Sequence, residues 1–163
     1  MALTVPAGPS HHEGMTNDTA AYAALTTLTA RDLMGRVGPE VHIGASLQEV
    51  VDRFLTGPSR HLIVVDDDRH CLGILGPRHV AQAHSGNPRS DAEIPVKDLG
   101  YAPWIAVRPD DDLRTCARTL TEQHLDAVPV VDDDARAIGV VTAVDITRAV
   151  ADAIPHRHPT WHE

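Results

Sequence analysis

Aromatic residues are nearly absent: one Phe, two Trp and two Tyr in 163 positions. A core built without rings must come from Val, Leu, Ile and Ala, which suits thin packed layers and leaves no platform for stacking bases. Lysine is scarcer still, with Lys97 alone against thirteen arginines, and the formal net charge is −9. So acidic a chain is a poor partner for a phosphate backbone, so no nucleic-acid partner is expected. Two cysteines, Cys71 and Cys116, are too few for a disulfide framework, and each lies in an apolar run as a buried thiol does. No stretch approaches the roughly 18 apolar residues of a membrane span, so no membrane partner is expected either. The first residues lack the charged and apolar regions of a signal peptide, and the expected location is cytoplasmic. Catalytic signatures are missing as well: no G-x-S-x-G, P-loop, C-x-x-C or H-E-x-x-H, so an enzyme is not expected.

What the chain does contain is a pattern. Between residues 126 and 150, two β-branched runs (127–131 and 137–141) flank the acidic turn 132–135, a hairpin signal. Thr142 follows at once, and an apolar segment with acids near its start predicts a helix from that threonine. Sliding the sequence by 66 residues superposes 31–86 on 97–152 without a gap. Asp32-Leu33 falls on Asp98-Leu99, Val41 on Val107, Leu47 on Leu113 and Gly73 on Gly139. An internal repeat sets the architecture before any local reading does.

Each copy predicts a short strand (41–43; 104–107), a helix, and then strand, turn, strand and helix. In the first copy Ser46 and Glu49 fit a capping box, and Leu47, Val50, Val51, Phe54 and Leu55 form an apolar stripe. In the second, Asp112 is the cap, and Leu113, Cys116, Ala117 and Leu120 form the stripe. A copy of about 55 residues buries too little surface to stand alone, so the two should pack face to face with clefts between them. The expected organisation is α+β. It runs as a disordered arm with a weak helix (1–27, the helix from Asp18), repeat one (28–86), a linker loop (87–95), repeat two (96–154) and a histidine-rich tail (155–163).

The segments Val128-Pro129-Val130-Val131-Asp132 and Gly139-Val140-Val141-Thr142-Ala143-Val144-Asp145-Ile146, with a β-α unit before them and a second copy, closely resemble the CBS domain, named after cystathionine β-synthase. The resemblance covers residues 28–154 and implies two β-α-β-β-α repeats packed as a pseudo-two-fold pair, a Bateman module. It further implies a regulatory protein with no required cofactor, binding an adenosine nucleotide (ATP, ADP or AMP) or S-adenosylmethionine between the repeats. Such a protein is expected to form a homodimer and to act in trans on an unknown regulated protein.

The residues carry their own chemistry. Asp145 is an acceptor-only carboxylate, able to clamp the two hydroxyls of a ribose through charge-assisted bonds. Thr142 lies one turn earlier, and the free amides of that helix start suit a phosphate. By the resemblance, backbone groups at Ala127 and Val128, just before Pro129, read the adenine edge. Pro129 itself, lacking an N–H, is expected at a strand end or edge. The same tetrapeptide is equally a capping box, with Thr142 at N-cap and Asp145 at N3, and the two roles are compatible. In the first copy Gly76 and His79 replace the pair, Ile63 replaces Pro129, and Pro77 still suits a first helical position. Arg78 and His79 there either contact phosphates or face solvent around an empty or altered half-site. One well-formed site per chain is therefore expected. The alternative is a nucleotide-free dimerisation scaffold.

Weaker signals remain. The acidic triplets 66–68 and 132–134 occupy the same turn in both copies, where Asp is favoured, and neither has EF-hand spacing. His156, His158 and His162, aided by His11 and His12, offer a third reading as zinc or nickel ligands, though two prolines at a chain end preorganise nothing.

Overall fold

A computed structural model describes residues 11–85, 89–100, 102–103 and 105–154. Helix α1 (His11–Thr27) begins seven residues before the expected Asp18 and leads through the short α2 (Ala30–Leu33) into the first copy. That copy comprises β1 (Glu40–His42), α3 (Leu47–Thr56), β2 (Leu62–Val65), β3 (Cys71–Leu75) and α4 (Pro77–His84). The second comprises β4 (Ala102–Pro103), α5 (Leu113–Glu122), β5 (Ala127–Val131), β6 (Ala137–Thr142) and α6 (Ala143–Ala153).

Local chemistry explains these boundaries. The Asp112 carboxylate accepts the Thr115 N–H at 2.7 Å and starts α5, as expected. Ser46 accepts the Glu49 N–H at 3.3 Å, but the Glu49 carboxylate turns to Arg53 at 2.7 Å, so only half of that capping box forms. Leu55, assigned to the apolar stripe of α3, is 78% exposed, and the buried face ends at Phe54. The acidic triplets are turn builders. One oxygen of Asp66 accepts the N–H groups of Asp68 and His70, one oxygen of Asp132 those of Asp134 and Arg136, and Arg69 and Ala135 take the left-handed conformation.

Strand β1 runs parallel to β2, β2 antiparallel to β3, and β3 antiparallel to β4; β5 and β6 form a second, two-stranded sheet. Of the predicted strand over 104–107, residue 104 lies outside the described residues, and over 105–107 the described pairing is a parallel bridge between Val107 and Val130. Pro129 is the reason. Its counterpart Ile63 donates to the Pro39 carbonyl at 3.0 Å and extends the β1 pairing. Pro129 has no N–H to give, so only the bonds from Val107 N–H to the Pro129 carbonyl and from Val131 N–H to Val107 remain, each 3.0 Å. Pro129 lies in the middle of β5 rather than at its end, buried and opposite Val140, but on a strand of a two-stranded sheet, where the side lacking an N–H faces away from β6.

The two copies are completed by exchange. Ala30 N–H bonds to the Asp111 carbonyl (2.7 Å) and Arg31 N–H to Pro109 (2.9 Å), while Leu113 N–H bonds to Leu28 (2.9 Å). Sixty-six residues later, Val96 N–H bonds to Ala45 (2.8 Å) and Lys97 N–H to Ile43 (3.2 Å), while Leu47 N–H bonds to Ile94 (2.7 Å). Ala30 and Leu33 accordingly fill the core of the second copy, and Ile94, Val96 and Leu99 fill that of the first. The linker is thus not a plain loop; it turns through short 3-10 segments at Asp91–Glu93 and Val96–Asp98 and buries Ile94. A third cluster, with Ile63, Val65, Cys71, Ile74, Ala127 and Val140, joins the sheets.

Because each core borrows from the other copy's leading segment, urea unfolding should show one cooperative transition. Leu33→Ala and Ile94→Ala should each cost about 2–5 kcal/mol by leaving a cavity. Two separable transitions, each affected by only one variant, would contradict the exchange.

Candidate functional site

Thr142 ends β6 in extended conformation and caps α6. Its hydroxyl oxygen accepts the Asp145 N–H at 3.2 Å and donates to Asp145 Oδ2 at 2.6 Å, while the Thr142 N–H reaches the same oxygen at 2.9 Å. The capping box is therefore complete. Among the described residues the other oxygen, Oδ1, meets only the exposed Arg148 guanidinium, at 3.3 Å. A contact of that length on an exposed arginine is worth little, so a ligand hydroxyl can replace it. A cavity of about 410 Å³ between α1, α2 and α6 reaches Asp145, with Leu28, Asp32, Arg148 and Asp152 around it.

Ala127, Val128 and Pro129 stand opposite Thr142, Val141 and Val140 across the β5–β6 hairpin. The Ala127 and Val128 side chains are buried in the core, which leaves only their backbone to be read by a ligand. None of the three lines the Asp145 cavity.

The first copy repeats this geometry with different atoms. His79, expected at a phosphate or in solvent, is 4% exposed. Its Nδ1 accepts the Gly76 N–H at 2.9 Å, the task that Asp145 performs for Thr142. Burial first, and the neighbouring Arg78 charge second, hold its pKa below the ordinary histidine value. The neutral ring is required, since a protonated Nδ1 cannot accept. Arg78 remains exposed and donates to the His124 carbonyl, bridging the copies.

Two further residues crowd this cleft: the His61 Nε2 is buried without a hydrogen bond, 3.4 Å from the Asp126 carboxylate, a separation of ion-pair type whose angle makes no hydrogen bond. A Cβ placed on Gly76 would lie 3.6 Å from His61 and 3.9 Å from Asp126, so the cleft is narrow. His61 and Asp126 escape a reading by motif. Yet the repeat offset places His61 on Ala127, and that correspondence marks the position.

The remaining candidates do not assemble. Burial pushes the Cys116 thiol up to about 11 and raises that of Cys71, so neither is a nucleophile. Among the described residues no group of three His, Cys, Asp or Glu side chains is arranged for a metal ion. His156, His158 and His162 lie outside the described residues, and His11 and His12 open α1. No helix among the described residues is long and apolar enough to cross a membrane.

Comparison with known proteins places this geometry. The model of the CBS domain matches residues 28–86 and 93–152. Homoserine O-acetyltransferase of Methanocorpusculum labreanum is 29% identical over 119 residues, 73% of this chain but 23% of that protein. The chain thus spans under a quarter of the length of such curated relatives. The CBS domain pair of protein MJ0100, solved with 5'-methylthioadenosine and S-adenosyl-L-methionine, superposes with a TM-score of 0.67 at 22% identity, over 77% of this chain and 98% of that one. CBSX2 in complex with AMP gives 0.64 at 23% identity, over 76% and 97%.

The neutral His79 cap ties stability to pH. With the folded pKa depressed, the unfolded chain takes the proton more readily, so the contribution is complete above the ordinary value of 6.5 and fades as pH falls below it. The melting temperature should drop between pH 7.5 and 5, and His79→Gln, an acceptor that does not titrate, should drop less. Equal losses in both proteins would acquit the imidazole.

Proposed function

Because this chain belongs to the CBS domain family through both of its repeats, we propose that it is a regulatory ligand-binding module and not an enzyme. Its ligand is an adenosine-containing molecule, ATP, ADP, AMP or S-adenosylmethionine, held in the cleft of the second copy. Asp145 grips the ribose diol through Oδ1, the Val144 N–H at the start of α6 beside Thr142 faces phosphate, and the backbone at Ala127 and Val128, before Pro129 and across the hairpin from Thr142 rather than in the Asp145 cavity, reads the base. The observation that supports this most directly is the Asp145 carboxylate, partly exposed at a cavity rim with one oxygen committed to the cap and the other held only by a surface arginine. Asp32, Asp145 and Asp152 outnumber Arg148 at that rim, which disfavours a triphosphate and ranks S-adenosylmethionine and AMP above ATP. In the first copy Arg78, rather than the buried His79, is the cation that meets phosphate. Exposed Val144 and Ile154 on and after α6, with Leu55 on α3, support pairing into a homodimer through helical faces, with occupancy read by a separate partner protein.

A scaffold that dimerises without a nucleotide is the second reading, favoured by the narrow first cleft and the self-satisfied Asp145 Oδ2. Calorimetric titration with the four ligands separates the two. At least one should give saturable heat, and Asp145→Ala should weaken it at least tenfold, about 1.4 kcal/mol, while His79→Gln changes it less than threefold. Asp145→Ala also removes a cap worth about 1 kcal/mol, so its melting temperature is measured alongside. No heat with any of the four leaves the scaffold.

A further inference from the structure

A second asymmetry between the copies lies at the seam between the sheets, away from Thr142 and Asp145. A cavity of about 420 Å³ opens there between β3, residues 105–106 and the tip of the β5–β6 hairpin. Leu72, Ile105 and Val131 form apolar walls, and Ala106 and Ala135 stand at the edge. The repeat offset defines its twin on the other side of the pseudo-two-fold. Ala106 corresponds to Glu40 and Ala135 to Arg69, and in the twin those side chains meet in an ion pair at 2.9 Å. Gly73, on the cavity wall, corresponds to Gly139, against which Met34 packs so closely that an added Cβ would lie 2.5 Å from its sulfur. The residue corresponding to Met34 is Gly100. Two side chains that pair on one side are thus replaced at this cavity by two alanines, and Met34 has a glycine as its sequence counterpart.

Among the described residues the polar side chains that line the cavity are Asp66 and His70. Asp66 Oδ2 meets His70 Nδ1 at 2.9 Å, and both residues line the cavity. Among the described residues the remaining nitrogen of His70 makes no hydrogen bond, so one polar group of a ligand has a partner there. The volume falls within the range of small-molecule sites, and walls that are mainly apolar favour a ligand of the same character.

We propose that this cavity is a second ligand site, for an uncharged, largely apolar small molecule whose single polar group faces His70. It does not depend on the adenosine reading. The probe is N-phenyl-1-naphthylamine, an uncharged fluorophore of this kind, titrated into the full chain. Its emission should rise saturably with one site per chain. Ala106→Glu combined with Ala135→Arg rebuilds the twin's ion pair at exposed positions, Arg69 showing that arginine accepts the backbone conformation needed at 135. The double variant should keep its melting temperature and bind at least tenfold more weakly. Should it fail to fold, Val131→Phe fills the cavity from β5 and should weaken binding likewise. Absence of saturable binding, or equal affinity in wild type and the filled variants, overturns the assignment.

Discussion

The hydrogen bonds from Ala30 to Asp111 and from Val96 to Ala45 tie the leading segment of each copy to the body of the other. Neither repeat closes its own core. Leu33 belongs to the second core and Ile94 to the first, so the sequence repeat and the packing unit are offset by the length of one short helix. A repeat of this size is marginal alone, and the exchange converts two marginal units into one body with a shared central layer. The clefts are a consequence. They open where sheet, leading segment and helix start converge, and they exist only in the assembled pair.

Within that frame the same backbone task is given to different chemistry. Both α4 and α6 begin with an N3 side chain returning to the N-cap amide, His79 to Gly76 and Asp145 to Thr142. A carboxylate in that position keeps an oxygen for another partner, whereas a buried imidazole spends its only acceptor on the cap. The second copy thereby keeps one carboxylate oxygen at the cavity rim, and the cap of the first becomes sensitive to protons. Pro129 adds a further inequality, since the missing N–H shortens the pairing that Ile63 sustains on the other side.

Much of this was legible in the sequence. The constant offset of 66 residues disclosed the doubled architecture, and β-branched runs around an Asp-rich turn located the second hairpin within a residue of its observed ends. Asp112 and Thr142 announced two helix starts, because capping is a local interaction between residues three apart. The Thr142–Asp145 pair was equally visible, as was the loss of that pair in the first copy.

What no local pattern carries is the set of contacts between residues far apart in the chain. His79 was read as a phosphate contact or a solvent-facing residue because its burial depends on the neighbouring layer, and Asp126 closes on His61 only after both hairpins stack. The seam cavity is edged by Ala106 and Ala135, two distant positions brought to one place where the twin has Glu40 and Arg69. Sequence alone determined the repeat, its elements and its candidate sugar-binding acid, since periodicity and capping act over a few residues. The tertiary structure decided which segment completes which core and which side chains stay free, since those depend on surfaces that exist only once the two copies are joined.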